Sequence, residues 1–117
     1  MERKSNYYDL EERTLEFARR VNDFVNNLPR TISNLENGKQ LVRSAGSVGA
    51  NYIEANESLS KKDFVHRVKI SRKEAKESCF WLNLVTPKPE VLETKDELIK
   101  EATELMKICG SIIEKCK

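Results

Sequence analysis

The sequence predicts an all-α protein, an antiparallel up-down-up-down four-helix bundle, and three observations carry that prediction. Apolar residues recur at the helical period along almost the whole chain. Glycine and proline together number only seven in 117 residues, too few for the turn chemistry of a strand-rich fold. Prolines and capping signals cut the periodic pattern into four segments with short connections, which places consecutive helices side by side and antiparallel. A chain of this length forms one domain around one core.

The first helix is expected over residues 7–28, where Leu10, Thr14, Phe17, Val21, Phe24, Val25 and Leu28 share a face. Asn6 is its expected N-cap, with Asp9 three residues on, and Pro29 ends it. The second is expected over 38–58, because Asn37-Gly38 reads as a turn that delays a pattern beginning near Ile32. Leu41, Ala45, Val48, Tyr52, Ala55 and Leu59 form its core stripe. Ser60 and Asp63 resemble a capping box and open the third helix, 61–85. Phe64, Val68, Ser71, Ala75, Ser78 and Leu82 should face the core there, the small members inviting close packing. Thr86-Pro87-Lys88-Pro89 ends that helix. The fourth, 90–116, opens near Pro89 or at the box-like pair Thr94 and Glu97, and carries Leu98, Ala102, Leu105, Cys109, Ile112 and Cys116 as a wide apolar stripe.

Arg43 to Ser58, RSAGSVGANYIEANES, places two glycines inside a helical pattern. Each costs about 1 kcal/mol relative to alanine, so close packing or a ligand should compensate. On the helical projection Val42, Gly46, Gly49 and Ile53 form a groove for close helix packing. Beside it, Arg43, Ser47, Asn51 and Glu54 form a polar stripe. Arg43 and Glu54 lie too far apart to pair within one helix, so the stripe reads as a semi-buried network with partners on other helices or other chains. GSVG matches neither a phosphate loop nor a dinucleotide fingerprint, and a GxxG nucleic-acid clamp would interrupt the helix that here runs through it.

No histidine or second carboxylate shares the stripe with Glu54, so acid–base catalysis lacks its second group and no enzyme is expected. A helical ribonuclease would want an arginine shortly before its histidine, and the residues of the third helix before His66 include none. Cys79, Cys109 and Cys116 are odd in number without CxxC pairing, and His66 has no ligand-spaced partner. Reduced thiols, no metal and no cofactor are expected. MERKSNYYDL lacks the apolar centre of a leader, and no apolar run approaches the roughly 20 residues of a membrane span. A soluble cytoplasmic protein without a membrane partner is the expectation.

The net charge of +2 is too small to imply a polyanion partner, but residues 61–85 carry seven positive and three negative side chains. Lys61, Lys62, Lys69, Arg72, Lys73 and Lys76 fall within an arc of about 120° on that helix. Such a face can track the phosphates of RNA or DNA. Phe80 is the one aromatic residue on the arc, while Trp81 lies on another face beside Ile70 and is an interface candidate.

YDLEERTLEFA with a following LPRT, then QLVRSAGSVGANYIEAN, then SKKDFVHRVKISRKEAKESCFWLNLV resemble, in order and spacing, the four-helix-bundle proteins of the 23S ribosomal RNA intervening-sequence family. The RSAxSVGANYxEA and KEAxExxxWL segments are the most specific. The resemblance implies a left-handed bundle assembling as a homopentamer, with the family's characteristic positions on Arg43, Ser47, Asn51 and Glu54. It also implies likeness to an accessory protein of diversity-generating retroelements, which holds nucleic acid and a reverse transcriptase on a basic pentamer surface. Gly46 departs from the larger residue common at its position. The expected function is a non-enzymatic, homo-oligomeric scaffold that binds RNA or DNA through the third helix. The alternative is a protein–protein assembly module with no nucleic-acid role.

Overall fold

The computed structural model describes the backbone from residue 6 and the side chains from residue 10 to residue 117. The expected capping side chains of the first helix, Asn6 and Asp9, lie outside the described residues. The described residues form four α-helices, α1 (Asn6–Asn26), α2 (Ile32–Asn56), α3 (Lys61–Leu84) and α4 (Leu92–Lys115), with a 3₁₀ turn at Pro89–Val91. Contacts fix the direction of each seam. Glu11 meets Asn56 and Val25 meets Gly38 between α1 and α2. Ser44 meets Ser78 and Asn51 meets Arg67 between α2 and α3. Cys79 meets Thr103 and Arg72 lies near Cys109 between α3 and α4. Arg13 meets Glu101 and Arg20 meets Glu97 between α1 and α4. At every seam residue numbers rise on one helix as they fall on its neighbour, which is the antiparallel bundle the sequence predicts.

The main core is built from Phe17, Val21 and Phe24 of α1, Leu41, Val48 and Tyr52 of α2, Ala75 and Leu82 of α3, and Leu98, Ala102 and Leu105 of α4. A second cluster, Ala55, Val68, Cys109 and Ile113, closes one end. Contact is most extensive between α2 and α3, because Ser71, Ala75 and Ser78 leave room for the helices to approach. Buried hydroxyls are satisfied across that seam: Ser71 Oγ donates to the Val48 carbonyl at 2.8 Å, and the Ser44 and Ser78 hydroxyls lie 2.9 Å apart. The α1–α4 seam is the thinnest.

Several boundaries differ from expectation, beginning with α1, which stops at Asn26 rather than at 28. α2 starts at Ile32 rather than at 38, because Thr31 caps it by accepting from the Asn34 amide at 3.1 Å. Asn37-Gly38 is no turn; a Cβ at Gly38 would stand 3.0 Å from Val25 Cγ1, so the glycine lets the end of α1 lie against α2. α2 stops at Asn56, which leaves Leu59 fully exposed instead of in the core stripe. α4 is entered through Pro89, and Thr94 does not cap it; Glu97 instead reaches Arg20 of α1. Ser60 does cap α3, accepting from the Asp63 amide at 3.1 Å.

Candidate functional site

The outer face of α3 is positively charged because its charges are sorted between two edges. Glu74 and Glu77 lie on the edge toward α2, where Arg43 of α2 reaches both: its Nη1 is 3.7 Å from Glu74 Oε1, and its Nη2 donates to Glu77 Oε2. Arg67, also on that side, donates to Asn51 Oδ1 at 2.9 Å. The anions of the α2-facing edge are thereby paired. Lys61, Lys62, Lys69, Arg72, Lys73 and Lys76 are all exposed, and none forms an ion pair among the described residues. Near the start of α3, Lys61, Lys62, Val65, His66 and Lys69 line an open depression that Cys116, just beyond the end of α4, completes.

The polar stripe on α2 divides into separate parts. Arg43 belongs to the carboxylate pair just described. Ser47 and Asn51 form a second unit, in which Asn51 Nδ2 donates to the Ser47 carbonyl and hydroxyl, each at 2.9 Å, while its carbonyl oxygen takes Arg67. Glu54 is exposed, joins neither unit and has no ion pair among the described residues; its main-chain carbonyl accepts from Ser58 Oγ. Arg43 and Asn51 therefore find their partners on α3 of the same chain, which ties α2 to α3.

The four residues of the expected groove separate in a similar way. Gly49 is buried beneath α1, and a Cβ there would stand 2.8 Å from Thr14 Oγ1 and 3.1 Å from Thr14 Cβ, so the close approach is to α1. Gly46 has open space around its Cβ direction, and Val42 and Ile53 beside it are exposed. GSVG continues through α2, and no described residue has positive φ.

Trp81 packs against the core, and its Nε1 donates to Glu77 Oε2 at 3.0 Å. Its ring lies 4.9 Å from that of Phe80 at an interplanar angle of 77°. Burial pushes the Cys109 thiol up to about 11, an effect that the charge of Arg72 partly opposes. No group of three or more His, Cys, Asp or Glu side chains that could hold a metal occurs among the described residues. No helix among them is long and apolar enough to cross a membrane.

The features the sequence reading missed connect residues far apart in the chain. Asn34, buried at 3% exposure, donates to the carbonyls of Pro29 and Thr86 and accepts from the Thr86 amide. Arg13 Nε and Nη2 grip Glu101 at 2.7 and 2.9 Å, and those hydrogen bonds hold the guanidinium above its ordinary pKa.

A family model described as 23S rRNA-intervening sequence protein matches residues 8–111. Among solved structures, the chain is similar to a protein of unknown function from the S23 ribosomal protein family of Bacteroides thetaiotaomicron VPI-5482. The two share 29% identity and a TM-score of 0.79 over 94% of this chain and 99% of that one. No curated protein matches the sequence.

Proposed function

The chain belongs to the 23S rRNA-intervening sequence protein family, and from that membership and the charge on α3 we propose that it is a non-enzymatic, self-assembling scaffold that binds nucleic acid electrostatically. The observation that carries the proposal is the outer face of α3, where Lys61, Lys62, Lys69, Arg72, Lys73 and Lys76 stand exposed without ion pairs among the described residues. Ammonium and guanidinium groups along one helix face can each displace a counterion from a phosphate backbone. Self-assembly multiplies such a face, and the exposed apolar residues Leu35, Val42 and Ile53, with open space at Gly46, give a second copy a surface on α2 to cover. The family resemblance makes a pentamer the expected form, and the free thiols of Cys79, Cys109 and Cys116 suit a reducing cytoplasmic setting.

A salt titration of binding to generic single- and double-stranded RNA tests the reading. Affinity should fall with a steep logarithmic slope, and replacing Lys69, Arg72, Lys73 and Lys76 with Gln should reduce that slope on single strands by up to about three. Binding at low salt weaker than about 1 mM, or unchanged by the four substitutions, would remove the nucleic-acid role. The exposed strip on α2 then favours the second reading, a protein–protein assembly module alone. Light scattering tests assembly directly: the expected mass is about five times the 13.5 kDa of the chain, and Gly46→Arg or Ile53→Asp should lower it.

A further inference from the structure

The geometry points to a base-stacking position at Phe80, so that the basic face of α3 selects single-stranded nucleic acid with unpaired bases over duplex. This inference rests on the nucleic-acid reading above and deepens it. Isolated exposed apolar residues are common on protein surfaces, and exposure alone would say nothing. Position is what matters here. On the helical projection Phe80 falls in line with Lys62, within about 20° of Lys69 and Lys73, and within about 40° of Lys76. Along the axis it stands about 6 Å beyond Lys76 and about 10 Å beyond Lys73. The phenyl ring therefore closes one end of a row of cations with no ion pairs among the described residues, and it remains 57% exposed.

The ring is also held. Phe80 meets Trp81 edge to face, Trp81 packs against the core and donates to Glu77, and Arg43 fixes Glu77 from the neighbouring helix. A side chain restrained in this way loses little freedom when a base lies on it. The charge complementarity of the row fixes the kind of partner. Cations take the phosphates, and an exposed ring at their end offers a surface for one base face, which a duplex keeps inside its stack and a single strand leaves open. The groups on the row address phosphate and base but not the sugar, so RNA and DNA should bind alike.

The test measures fluorescence anisotropy at low salt with oligouridylate, oligothymidylate, an abasic strand of equal length and a duplex. Phe80→Ala should weaken both homopolymers about tenfold while changing the abasic strand and the duplex by less than about twofold, and Phe80→Tyr should restore the loss. Trp81, the only tryptophan, should report the same event by a change in emission on addition of a homopolymer to wild type and not to Phe80→Ala. The inference is overturned if Phe80→Ala binds the homopolymers as tightly as wild type, or if wild type binds the abasic strand equally well. It is also overturned if Phe80→Ala changes the assembly mass and leaves strand affinity intact, which would make the ring a protein contact. Failure of wild type to bind any of the four probes is a different result: it removes the electrostatic reading and this inference with it.

Discussion

Asn34 and Thr86 join the two loops at one end of the bundle: the Asn34 side chain accepts from the Thr86 amide and donates to the Thr86 carbonyl, both at 2.9 Å. Asn34 Nδ2 also donates to the Pro29 carbonyl at 2.9 Å. One buried side chain thus ties the α1–α2 connection to the α3–α4 connection. Asn34→Ala should lower stability by about 1–3 kcal/mol in urea unfolding, since it removes three partly buried hydrogen bonds made by one buried side chain. Asn34→Asp should do at least as much harm at neutral pH, because a carboxylate cannot donate to either carbonyl. A loss below about 0.5 kcal/mol would show that water replaces the amide.

Gly46 and Gly49 of α2 should respond in opposite directions. Gly49→Ala drives a methyl group to 2.8 Å from Thr14 Oγ1 and should destabilise the subunit by about 1–3 kcal/mol. Gly46→Ala meets nothing within 4 Å and should stabilise it by up to about 1 kcal/mol through helix propensity. Thermal melts of the two variants under identical conditions decide the point; equal shifts would contradict it.

Arg43 holds a carboxylate that is nearly buried, Glu74 being 8% exposed. Arg43→Gln should cost about 1–2 kcal/mol, discounted for the half-exposed guanidinium, because it leaves Glu74 and Glu77 facing one another without their cation. A double-mutant cycle with Glu77→Gln should show a coupling of about 0.5 kcal/mol or more. Strict additivity would mean that the pair contributes nothing.

Cys109 sets a pH dependence in the alkaline range. Its folded pKa of about 11 lies above the ordinary 9.0, so the unfolded chain gives up the proton first. The contribution is fully present below pH 9 and declines as pH rises toward 11, by an amount on the order of 2 kcal/mol. Comparison of wild type with Cys109→Ala across that range isolates the effect from lysine titration. In the native state Cys116 and Cys79, which are partly exposed, should alkylate before Cys109.

Much of the bundle is written in local pattern. The spacing of Val68, Ser71, Ala75, Ser78 and Leu82 identifies the buried face of α3, and Ser60 with Asp63 marks its start. The start of α2 was missed for a local reason, the Thr31 cap, but at Gly38 and Glu97 the reason lay far along the chain. Gly38 looks like part of a turn until Val25 is seen beside it, and Glu97 looks like part of a cap until Arg20 is seen to take it. The stripe from Arg43 to Glu54 was legible as polar and periodic, but periodicity cannot say which helix supplies Glu74, Glu77 or Arg67. The basic arc needed only the projection, because its six exposed cations form no ion pairs among the described residues.

Arg43 has one more effect, exerted at a distance. By holding Glu74 and Glu77 against its own guanidinium, it leaves α3 with a charge separation across its width, cations outward and compensated anions inward. If the protein binds nucleic acid as proposed, a body charged in this way should turn in the field of the approaching polyanion before contact, so that most encounters present the basic side. Under the proposed function, the residue that fastens two helices together would thereby also set the orientation in which the protein meets a phosphate backbone.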